Sequence, residues 1–208
     1  MKTPQLALIV CVAAALVLSG ALAAMEQGDV ATTEPVASEA SETDASARYP
    51  CEHQQQFREF DFWIGEWEVR NAEGELAGHN VIEASQRGCV LIENWTGAAG
   101  GTGTSMNYLD RTTDEWVQLW TDSSGGQINI RGGMTDHGML LTGRIHYVSR
   151  DVTAPFRGLW TPQADGRVRQ FFEQSNDGGE SWEPWFEGFY NRVEPGDDGR
   201  EQANETDK

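Results

Sequence analysis

The chain has 208 residues, a formal net charge of −18, eight tryptophans and three cysteines. That length accommodates one domain with a sizeable core plus tails. So acidic a balance argues against nucleic acid or an anionic lipid surface as partner, since both would be repelled.

Lys2 precedes an apolar run from Leu6 to Leu18, and Ala21-Leu22-Ala23 offers small residues for cleavage. This is the pattern of a secretory signal peptide over residues 1–24. The run is shorter than the roughly 20 residues of a membrane-spanning helix, so cleavage is expected, with no stable membrane anchor left behind. The protein is therefore expected to be exported, to a periplasm or the exterior. Cys11 lies inside the leader, which leaves Cys51 and Cys89. In an oxidising compartment such a pair suggests one disulfide, with two reduced buried thiols as the alternative. Residues 25–48 are rich in Ala, Ser, Thr and Glu and contain no aromatic residue. They read as a disordered acidic linker, and residues 195–208 as a disordered tail.

Residues 49–194 have a different texture. A short helical turn is expected between Cys51 and Phe60. The run Phe60-Asp61-Phe62-Trp63-Ile64-Gly65-Glu66-Trp67-Glu68-Val69-Arg70 then reads as a strand entered through an aromatic corner. Turn signals recur about every ten residues: Asn71 to Gly74, Arg87-Gly88, Asp110 to Asp114, Ser123 to Gly126, Thr135 to Gly138, Pro162 to Gly166, and Asn176 to Gly179. The segments between them are strand-like and carry no helical periodicity. The expectation is an all-β domain, a single up-and-down barrel of about ten antiparallel strands. Closure would also remove exposed strand edges. Ser175-x-Asp177-x-Gly179-x-Ser181-Trp182 matches an Asp-box, but one copy reads as an Asp/Gly turn, since a propeller needs several.

Gly65-x-Trp67 on the first strand and Arg192 on the last resemble the calycin signature shared by lipocalins and fatty-acid-binding proteins. There an arginine lies across the tryptophan where the barrel closes. A guanidinium can stack on an indole and still donate to backbone carbonyls, so Gly65, Trp67 and Arg192 are assigned structural roles. The likeness is broader than this signature. Phe60 to Trp67, Glu93-Asn94-Trp95, Ser105-Met106-Asn107-Tyr108, Glu115-Trp116-x-Gln118-x-Trp120 and Gly166 to Gln170 together resemble the DUF1579 family, over about residues 57–193. The resemblance implies an exported, calycin-like bacterial barrel and carries no established activity.

No Gly-x-Ser-x-Gly elbow or His-Glu-x-x-His pair is present, and neither cofactor nor metal is expected. Strand alternation places Arg144 with His146, and Arg169 with Arg167 and Phe171. Arg144, His146, Arg169, Gln118 and Trp120 are the expected lumen residues, contacting a small apolar or amphipathic, lipid-like ligand. In fatty-acid-binding proteins, lumen arginines clamp a carboxylate; the alternative is that these arginines face solvent and pair with neighbouring acids. Trp116, Gln118 and Trp120 share one strand face, which fits barrel core or a contact surface. Glu93 interrupts the apolar run Val90-Leu91-Ile92, and a carboxylate there should be paired, with Arg144, Arg157 or Arg169 as candidates. Two further readings use the same barrel. One is a lipid-acting enzyme with Glu93 or His146 as acid or base; the other is a haem binder with His146 as axial ligand. The glycine-rich Gly97 to Gly103 reads as a flexible rim loop or portal. Nothing in the sequence bears on oligomeric state.

Overall fold

A computed structural model describes residues 47–193. The leader, the 25–48 linker apart from Ala47 and Arg48, and the 195–208 tail lie outside the described residues; Ala47 and Arg48 are helical and exposed. Ten strands follow in order: β1 (Gly65–Arg70), β2 (Leu76–Ser85), β3 (Val90–Gly97), β4 (Thr102–Asp110), β5 (Glu115–Asp122), β6 (Gln127–Thr135), β7 (Gly138–Tyr147), β8 (Val152–Pro162), β9 (Val168–Gln174) and β10 (Glu183–Arg192). Each pairs antiparallel with its sequence neighbour, and β1 pairs with β10, so the sheet closes into an up-and-down barrel. The Asx chemistry of the turns explains the meander. Asn71 Oδ1, for example, accepts from the Glu75 amide at 2.8 Å, and Asp122 Oδ1 accepts from the Ser124 and Gly126 amides. The single Asp-box is likewise a turn. Hydrogen bonds from the Ser181 hydroxyl and amide and the Ser175 hydroxyl hold the Asp177 carboxyl well below the usual range.

The seam is built as the Gly-x-Trp pattern requires. Trp67 and Arg192 are register partners, and the Arg192 guanidinium lies 4.2 Å from the Trp67 ring centroid. Its Nη2 donates to the Ile64 carbonyl at 3.1 Å. Gly65 has φ +146°, and a Cβ there would sit 2.2 Å from Arg192 Nη1. Only a residue without a side chain leaves room for the arginine at that point.

One end of the barrel is plugged by the segment before β1. A four-residue helix, α1 (Pro50–His53), leads through 3₁₀ turns at Gln55–Arg58 and Asp61–Trp63. Phe60 and Trp63 are fully buried. Phe60 stacks on Trp63 at 5.0 Å and meets Trp116 and Trp160 edge-on at 5.7 and 5.3 Å. Burying each such ring stabilises the fold by about 2–3 kcal/mol. A Cys51–Cys89 disulfide ties α1 to the chain just before β3. The bridge, rather than the pair of free thiols, is what the structure contains.

Candidate ligand-binding site

Inward-facing residues of β2 to β5 fall into layers because the register aligns them. Ile82, Glu93, Ser105 and Trp120 are successive partners across β2–β3–β4–β5, and Leu91, Asn107, Gln118 and Ile130 form the next layer across β3 to β6. The layer of Leu91 lies toward the plug, whereas that of Glu93 lies toward the opposite mouth. There, away from the plug, a cavity of about 320 Å³ enters the barrel. Its walls are aromatic: Trp95, Trp120, Phe172, Trp185 and Phe186. Its floor is polar: Glu93, Gln118, Gln170 and Tyr190. Thr102, Asp122, Ser123 and Ser124 form part of its rim. Gly103 permits the wall to form, since a Cβ there would meet Trp120 Cζ2 at 2.1 Å. The glycine-rich stretch lies at this mouth, where Gly101 lines the cavity. Gly97 ends β3, Gly103 belongs to β4, and the intervening turn is closed by the Gly97 amide donating to Gly101 O at 2.7 Å.

The floor is one hydrogen-bonded cluster. Asn80 Nδ2 donates to Glu93 Oε1 at 2.7 Å, and Ser105 Oγ donates to Glu93 Oε2 at 2.6 Å. Asn107 Nδ2 donates to Ser105 Oγ at 2.8 Å. Asn80 Nδ2 also reaches Tyr190 Oη at 3.2 Å, and that phenol donates to Gln170 Oε1 at 2.7 Å. All six residues are buried, Glu93 being 4% exposed. Two neutral donors cannot replace the hydration that a carboxylate loses on burial. Burial therefore pushes the Glu93 carboxyl up to about 7, against the downward pull of Ser105 and Asn80. Burial, and then the charge of Glu93, raise the Tyr190 phenol well above its ordinary value.

Gln118, Trp120 and Glu93 thus meet at the cavity, as their strand positions led one to expect, but three other expected lumen residues do not. Arg144 is exposed on the outer face of β7, where Leu141 and Ile145 take the inward positions. His146 shares that outer face; its Nδ1 is 2.9 Å from Thr153 Oγ1 and its Nε2 is 4.0 Å from Asp151. It cannot serve as an axial ligand or as an acid or base within the lumen. Arg169 also faces outward, stacked over Phe171 at 4.6 Å and donating to Glu187 Oε1 at 2.6 Å. Arg157 pairs with Glu173 at 2.7 Å. None of the three arginines considered as partners for Glu93 reaches it. Among the described residues, no Arg, Lys or His lines the cavity.

Sequence reasoning missed Asn80, Ser105, Gln170 and Tyr190. Their signal was parity. Asn80 and Gln170 are polar at positions whose neighbours two residues away are apolar or glycine, Gly78 and Ile82 around Asn80 and Val168 and Phe172 around Gln170, whereas Ser105 and Tyr190 have Asn107 and Arg192 two residues on and so show the pattern on one side only. Searches of protein-family models and of curated proteins found no match to this chain.

Proposed function

We propose that this barrel binds a small, largely apolar molecule in its lumen, with a polar group of the ligand placed on the floor around Glu93. The observation that carries the reading is the cavity itself, with five aromatic rings on its walls and a hydrogen-bonding floor. Its volume lies at the low end of the roughly 300–1,000 Å³ typical of ligand pockets. It is about twice the ~150 Å³ space that encloses one benzene, so the ligand is of one- or two-ring size. Export and kinship with the DUF1579 family belong to the same proposal. They are supported by the leader pattern, by the Cys51–Cys89 bridge, and by the Gly65, Trp67 and Arg192 seam.

Native mass spectrometry of protein isolated from its own source tests this reading. A retained small molecule, lost on denaturation, is expected. Trp120→Ala should reduce the retained fraction at least several-fold, while Arg144→Ala, on the outer face, leaves it unchanged. Ligand-free protein whose tryptophan emission answers to no member of a panel of one- and two-ring compounds would refute the reading.

One observation favours a second reading, acid–base catalysis on such a ligand. A carboxyl held near neutrality inside a pocket can both take and return a proton. Turnover abolished by Glu93→Gln with binding retained would establish it.

A further inference from the structure

We infer that the lumen selects a cationic, amine-bearing ligand and excludes carboxylates. This deepens the lumen-binding proposal above and rests on it. Charge is the first observation. The ionisable groups on the cavity surface are Glu93, Tyr190 and, at the rim, Asp122, and among the described residues no cation faces them. A fatty-acid carboxylate entering this space would meet Glu93 with no positive charge to offset the repulsion. An ammonium group would supply the counter-charge that Glu93 lacks.

The walls are the second observation. Trp95, Trp120, Trp185 and Phe186 present aromatic rings to the same space, and ring faces attract a cation electrostatically, most strongly where water is excluded. Hydrogen bonding is the third. Gln118 is 1% exposed, lines the cavity, and its amide has no partner among the described residues. An ammonium at the floor would find acceptors in the Glu93 carboxylate and the Gln118 side-chain carbonyl, besides the counter-charge.

Proton linkage follows. The groups facing Glu93 from β2, β4 and β9 are Asn80, Ser105, Asn107 and Gln170, none of which titrates in the neutral range. β10 contributes Tyr190, whose phenol is pushed further up, and β5 contributes Asp122 at the rim. Between pH 6 and 8 the one group at the floor that changes charge is therefore Glu93, whose carboxyl sits near 7. A cation that requires the carboxylate should bind about ten-fold more tightly at pH 8 than at pH 6, and should release a proton on binding near pH 6.5.

The test compares 2-phenylethylamine, 2-phenylethanol and phenylacetate, followed by tryptophan emission and by calorimetry in two buffers of different ionisation enthalpy. The amine should bind at least ten-fold more tightly than either of the others at pH 8, with the pH dependence and proton release stated above. Glu93→Gln should erase both the preference for the amine and the pH dependence. The wild-type arms need no variant, so a misfolded Glu93→Gln does not rescue the idea. If phenylacetate or the alcohol binds as well as the amine, the charge selectivity is wrong while lumen binding stands. Should none of the three bind, lumen binding for ligands of this size fails too.

Discussion

Replacing Glu93 with glutamine should change how stability depends on pH more than it changes stability itself. Glu93 is 4% exposed and has only neutral hydrogen-bond partners, so its carboxyl titrates near 7 in the folded protein against 4.5 ordinarily. A folded pKa above the unfolded one means that the native state holds the proton more tightly. The associated stability is fully present below about 4.5 and is lost as pH rises through about 7. At 1.36 kcal/mol per unit, the loss on going from pH 4.5 to pH 8 is about 3 kcal/mol. Glutamine does not titrate, and every other acid is common to both proteins. The difference between the two stability profiles therefore isolates this one group. Urea unfolding monitored by tryptophan emission, with the disulfide intact, measures it at each pH. Glu93→Gln should gain on the wild type by roughly 2–3 kcal/mol between pH 4.5 and 8. Profiles that run parallel to within about 0.5 kcal/mol would show that Glu93 is solvated or paired, and the polar floor described here would be wrong.

Three further outcomes follow from the structure. Gly65→Ala should destabilise by about 2–4 kcal/mol, because it combines strain at φ +146° with displacement of Arg192 from Trp67 and from the Ile64 carbonyl. With Arg192→Ala already in place, the same change should cost at least 1 kcal/mol less, and a double-mutant cycle in urea that is additive within about 0.5 kcal/mol would contradict the seam. Removing both Cys51 and Cys89, which lie 38 residues apart, should cost about 4 kcal/mol by the chain-entropy relation, read as a lower unfolding midpoint that no longer responds to reductant. Gly103→Ala should push Trp120 off its seat, costing about 1–3 kcal/mol and shifting tryptophan emission; an unchanged spectrum would mean that the ring is not packed on this glycine.

Parts of the fold were legible because local chemistry forces them. Asp, Asn and Gly turns at regular spacing leave little choice but a meander, and a meander of ten short strands closes. Gly65, Trp67 and Arg192 announce the seam because here the arginine crosses the indole through the space that a Cβ at Gly65 would fill. The site was half legible. Alternation grouped Arg144 with His146, and Arg169 with Phe171, on common faces, yet those faces point outward. In β7 the apolar positions Met139, Leu141 and Ile145 already marked the inward parity. In β9 the adjacent Phe171 and Phe172 blur it, and pairing had to choose.

By itself, then, the amino-acid order determined strands, turns, which side chains share a face, and the oddity of a carboxylate at Glu93. It could not assign that carboxylate its company. Asn80, Ser105 and Tyr190 come from three other strands, and Tyr190 lies 110 residues from the Asn80 that it touches. Periodicity is a property of one strand, whereas burial and charge balance arise only when strands are laid side by side. Closure of the barrel decided which parity lost its water, and so left Glu93 without a cation and the arginines outside.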